Sequence, residues 1–129
     1  MGSLLGFTFL LVGAYAILRT RPSGSYCGSP DIPLVGNGTI KVTIRSESAF
    51  DIEATWIPST GKKGSGSETD VPYKYDASSG DVTVIDTHKL KDLIKQIGAP
   101  IGADKLALLK YDGKTLHAVD LFNYPLTAC

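Results

Sequence analysis

The sequence predicts a small α+β domain: an antiparallel sheet or β-barrel-like domain of about six strands in three hairpins, with one helix before the last hairpin. Three observations carry this. Apolar and polar residues alternate in several short runs, a period of two that gives a strand one buried and one wet face. Turn signals rich in Gly, Asp and Ser join those runs in pairs. A single stretch shows the i, i+3, i+4, i+7 spacing of an amphipathic helix. At 129 residues the chain has room for one core rather than two, which excludes a multidomain enzyme. Lys plus Arg and Asp plus Glu each number 13; such a neutral chain lacks the cationic surplus that nucleic acid binding requires.

The first segment concerns export. Leu4 to Leu18 carries no charge, falls short of the roughly 20 apolar residues a spanning helix needs, and suits the apolar core of a secretory signal. Ala14-Tyr15-Ala16 offers small residues where a signal peptidase reads, so residues 1–16 are expected to be cleaved and the protein secreted. Arg19 and Arg21 behind the run define the alternative, a chain anchored in a membrane by residues 4–18. Residues 17–36, rich in Pro, Gly and Ser without a period, read as an extended arm, and 37–129 as the single domain. The two cysteines, Cys27 and Cys129, are expected to pair in an oxidising compartment. Asn37-Gly38-Thr39 is an N-glycosylation triplet in a loop-like context before the first strand.

Alternation begins with Ile40, Val42 and Ile44 and resumes with Phe50, Ile52, Ala54 and Trp56, with Ser46 to Ala49 as the turn. Lys41 and Arg45 then face Asp51, Glu53 or Thr55 on the wet side. Residues 58–70, which include Ser-Thr-Gly-Lys-Lys-Gly-Ser-Gly-Ser, read as a flexible surface loop. Val71, Tyr73 and Tyr75 pair with Val82 to Ile85 in a second hairpin, Gly80 supplying the positive backbone angle of the turn. Asp86 or Thr87 caps a helix built on Leu90, Leu93, Ile94 and Ile97, which Gly98 and Pro100 end. Leu106 to Tyr111 and Thr115 to Phe122 flank Asp112-Gly113; a two-residue turn there sets Leu109 against Leu116 and leaves both faces largely apolar, as in a covered, central hairpin.

Chemical motifs are sparse. Gly61-Lys62-Lys63-Gly64-Ser65 has the wrong order for a phosphate loop. His88 and His117 are the only histidines; His88 reads as solvated, and His117 as a partly buried ring without a Ser, Cys or carboxylate partner at a telling spacing. Asp51 and Glu53 share a face with cations opposite and read as salt-paired. No metal and no cofactor is expected. Ala54-Thr55-Trp56 near a strand end resembles the lipocalins over those three residues, with Ala54 where that family has Gly, and no functional residue follows from it.

The expected function is non-enzymatic binding by a secreted protein. Phe50, Trp56, Tyr73 and Tyr75, joined by His117, would line an interior that carries a small hydrophobic ligand. The alternative is a protein-interaction or inhibitor module that meets an extracellular protein through loop 58–70 with Lys62 and Lys63.

Overall fold

The computed structural model describes residues 21–129. The expected signal peptide, its cleavage after Ala16 and the alternative anchor over 4–18 lie outside them. The elements are β1 (Gly24–Gly28), β2 (Asp31–Ile32), β3 (Gly36–Ile44), β4 (Ala49–Pro58), β5 (Gly64–Asp76), β6 (Asp81–Val84), α1 (His88–Ile97), a 3-10 turn (Ala103–Leu106), β7 (Leu108–Tyr111), β8 (Leu116–Ala118) and β9 (Tyr124–Ala128). From β3 to β9 each strand pairs antiparallel with the next, and β1 pairs with both β3 and β9, so eight strands close into a barrel with β2 appended to β3. Closure pairs most strand edges, which is how small all-antiparallel folds limit unpaired backbone groups; the first half of β5, paired only with β4, is the exception.

The first expected hairpin is present, with Ile40, Val42 and Ile44 opposite Ala54, Ile52 and Phe50. Their outward neighbours pair as charge and register require: Lys41 opposes Glu53, and Arg45 bridges Asp51. The second hairpin also forms, Tyr73 opposite Val84 and Tyr75 opposite Val82. In α1, Leu90, Leu93 and Ile97 are buried; Asp86 accepts the His88 N–H, and Gly98 takes a left-handed φ of 71° that lets its N–H close on the Ile94 carbonyl. The helix drives its apolar stripe into the same core as Phe50, Val71, Val82, Leu116 and Leu126, all of which are nearly devoid of solvent contact.

In place of about six strands in three hairpins the described residues form nine strands, eight of them the barrel, and further expectations are corrected. The segment read as an extended arm supplies β1, the strand that closes the barrel, so the domain starts well before residue 37. Residues 58–70 are not one flexible loop: Gly64 onward is strand, paired with β4 through Trp56 opposite Gly64. Glycine is needed there because α1 lies against the strand; a Cβ on Gly64 would stand 2.2 Å from the Ile97 carbonyl oxygen. The helix also serves the strand's free edge, Gln96 accepting the Ser67 N–H and Lys89 donating to the Thr69 and Asp70 carbonyls. The last hairpin has a four-residue loop, because the Asp112 carboxylate takes the N–H groups of Lys114 and Thr115, and Leu109 consequently faces Ala118. Only the face bearing Leu109, Tyr111, Leu116 and Ala118 is buried, so this hairpin is barrel wall and not a doubly covered element. Finally, the strand expected to run to Phe122 stops at Ala118, and a turn through left-handed Phe122 and Asn123 leads into β9.

Cys27 and Cys129 form the expected disulfide, with Cα atoms 5.8 Å apart. It joins β1 to the residue after β9, beside the two-residue ladder Tyr26–Ala128 and Cys27–Thr127. The bridge thus pins the shortest seam of the barrel.

Candidate functional site

The residues expected to line one cavity are distributed along the barrel. Phe50 and Tyr73 pack ring on ring at 5.7 Å. The Tyr73 hydroxyl donates to the Ser46 carbonyl at 2.6 Å, and burial raises its pKa above the ordinary phenol value, so the ring is a neutral core group. Tyr75 is half-buried beside it in register. Trp56 stands six residues along β4 from Phe50, about 20 Å away at strand rise. His117 belongs to neither group: its strand neighbours Leu116 and Ala118 point inward, and it faces outward between Lys110 and Pro125.

Trp56 floors an apolar cleft at one end of the barrel. Ile94, Ile97 and Ala99, at and beyond the end of α1, form one wall; Ile40 and Ala54 belong to the barrel; Pro30, Ile32 and Leu121 close the rest. The cleft is tight, with about 30 Å³ of free space, enough for a water-sized group. It adjoins a wider opening of about 300 Å³ that shares Pro30, Ile32 and Leu121 and adds Pro33, Phe122 and Tyr124. Together they reach the lower bound of small-ligand pockets, roughly 300 Å³. Sequence reasoning identified Trp56 but missed the remaining walls, because Pro30 and Ile32 lay in the supposed arm and Leu121 in a supposed strand.

Histidine and carboxylate meet where spacing gave no sign of it. His117 Nε2 is 3.0 Å from the Asp112 carboxylate, five residues back across the β7–β8 loop. The His117 ring, then the Thr115 and Lys114 N–H groups, lower the Asp112 pKa to about 2. The other ring nitrogen, Nδ1, is buried and has no hydrogen-bond partner among the described residues. A general base must present a free nitrogen to its substrate; here one is committed to Asp112 and the other is shielded. His88 lies 3.7 Å from Asp92 on the exposed helix face. Among the described residues no group of three His, Cys, Asp or Glu side chains is placed to hold a metal ion.

The remaining candidates fall at the surface. Asp51 is held below the ordinary carboxylate range by the Asp70 N–H and by Arg45, as a paired structural group. Lys62 and Lys63 are exposed in the short β4–β5 turn. Asn37 is exposed, though within β3 opposite Ile57 and not in a loop. Among the described residues no helix is long and apolar enough to cross a membrane. No family model, curated protein or solved structure matches the chain.

Proposed function

We propose that the chain is an exported, non-enzymatic binding protein that holds a small apolar ligand at the Trp56 end of its barrel. The observation that carries this is the pair of adjoining apolar depressions floored by Trp56 and opening between Pro33 and Phe122. The inner one suits a methyl terminus and the outer one the body of a short chain. Packing of Phe50, Leu90, Leu93 and Leu116 in the lumen argues for ligand at the end and not deep inside. Two facts favour binding over catalysis: one His117 nitrogen is taken by Asp112 and the other is shielded, and among the described residues the inner cleft is lined by no ionisable side chain, Asp31 standing only at the outer opening. The disulfide suits an oxidising compartment. Native mass spectrometry of protein recovered from its own source tests the reading. A released apolar molecule at one per chain is expected, and recovery of ligand-free protein alone counts against it.

The interaction-module reading keeps one specific support. The β4–β5 turn bearing Lys62 and Lys63 is joined to the Leu34-Val35 turn, Ser59 donating its N–H to the Val35 carbonyl and its hydroxyl to the Leu34 carbonyl. Replacing residues 59–63 by a two-residue turn should abolish capture of an extracellular partner while the barrel still melts cooperatively.

A further inference from the structure

The opening at the Trp56 end lies between two loop apices. Leu34, between β2 and β3, is 96% exposed, and Phe122, between β8 and β9, is 85% exposed. Both hold left-handed backbone, at φ 69° and 56°, where a bulky residue is uncommon and strained. Pro33, next to Leu34, and Phe122 line the same opening. Val35 and Ile57 add partly exposed apolar surface, and Ser59 ties this cluster to the turn that carries Lys62 and Lys63. Neither lysine enters an ion pair among the described residues. Asp31 lines the opening and Asp120 precedes Leu121, so the basic side of this end is the β4–β5 turn.

We infer that this end of the barrel docks on an anionic lipid bilayer, Leu34 and Phe122 entering the acyl region while Lys62 and Lys63 meet the headgroups. Isolated apolar apices beside basic side chains are what a bilayer surface accepts, since it requires no complementary shape. A stable protein partner needs more: about 800 Å² on each side, whereas Phe122, the one aromatic among the four, offers about 150–250 Å², the aliphatic three are smaller, and two of them are only partly exposed. Docking sets the cleft mouth at the hydrocarbon boundary. It extends the apolar-ligand reading by naming where the ligand is collected, and its role as a collecting step rests on that reading.

The far end of the molecule supplies an internal control. Arg21 is salt-bridged to Glu47 in the β3–β4 turn, and β3 runs its nine residues, about 30 Å at strand rise, between that turn and the Leu34 apex. Glu47 therefore marks the end of the barrel opposite the apices. The full-length, disulfide-closed chain is mixed with vesicles of equal parts phosphatidylcholine and phosphatidylserine carrying brominated acyl chains and no free fatty acid. Phe122→Trp should show quenching beyond that of the parent chain, and Glu47→Trp should not. Leu34→Ser with Phe122→Ser should lower vesicle partition about tenfold or more, and Lys62→Ala with Lys63→Ala should lower it several-fold and weaken its salt dependence. Circular dichroism of each variant confirms the fold. Quenching at Glu47→Trp but not at Phe122→Trp, no quenching at either site, or partition unchanged by the apex substitutions each overturns the inference. Titration of Trp56 with soluble dodecanoate in the absence of vesicles reads the cleft alone, so failure of docking and failure of the ligand site are separately visible.

Discussion

Gly64→Ala tests how the helix is seated and, through it, how the cleft is built. The added Cβ would lie 2.2 Å from the Ile97 carbonyl oxygen, where ordinary van der Waals contact begins at 3.4 Å. The end of α1 must therefore withdraw by about 1.2 Å, the difference of those two distances. The obstacle is backbone, which cannot swing aside as a side chain can, so the cost belongs at the upper end of the usual overpacking penalty, about 2–3 kcal/mol. For a domain near 100 residues that corresponds to a melting temperature lower by roughly 10 °C or more. Ile97 and Trp56 line the same cleft, so the Trp56 emission should shift as well. Gly98→Ala is the comparison: nothing lies within 4 Å of its Cβ, and only the left-handed φ of 71° is at issue, a cost of about 1–2 kcal/mol. Thermal and urea unfolding of the oxidised protein, followed by circular dichroism and Trp56 fluorescence, measure both. The reasoning fails if Gly64→Ala is no more destabilising than Gly98→Ala, or leaves Trp56 emission unmoved.

Three further expectations concern stability. Replacing Cys27 and Cys129 together by Ser releases a loop with a separation of 102 residues, worth up to about 4.7 kcal/mol in the chain-entropy model; urea unfolding of the two forms should differ by most of that. The Asp112 carboxylate, with its pKa lowered from 3.8 to about 2 by His117 and the Thr115 and Lys114 N–H groups, favours the folded state above the unfolded pKa and loses that contribution as pH falls through the folded one. Stability should decline as pH drops from about 4 toward 2, and Asp112→Asn should flatten that limb in a series of melts. Leu34→Asn keeps a residue more tolerant of φ 69° and should raise stability by about 1 kcal/mol, measured as an increased urea midpoint, while removing an exposed apolar apex.

Sequence patterns exposed the parts of the barrel whose side chains alternate cleanly. Ile40 to Ile44, Phe50 to Trp56 and the helix from Leu90 to Ile97 are set by burial of one face, and their register follows. The parts hidden from view share a cause: local composition there serves a distant contact. Gly64 and Gly66 suggest a mobile loop until the helix is placed against them, when their missing side chains become the reason for the sequence. Gly24 to Gly28 carries a single fully buried side chain, Tyr26, so β1 is specified by two neighbouring strands and the disulfide rather than by its own pattern. At the β7–β8 loop the Asp112 side chain takes backbone donors and lengthens the turn by two residues, a choice invisible to a two-residue turn signature. For the site, Trp56 was legible as an inward aromatic. Its separation from Phe50 follows from six residues of strand spacing, whereas the outward direction of His117 depends on which face of the β7–β8 hairpin closure turns inward, and its place opposite Lys110 on the four-residue loop that resets the register.

The proposed apolar site at the Trp56 end is tested most directly by titrating the protein with dodecanoate while recording Trp56 emission, the only tryptophan in the chain, alongside Ala99→Phe, which fills the cleft from the segment after α1. The expected result is a saturable change at one ligand per chain that Ala99→Phe abolishes while its far-UV spectrum stays that of the parent. An emission that ignores the ligand, or responds equally in the filled variant, contradicts the site.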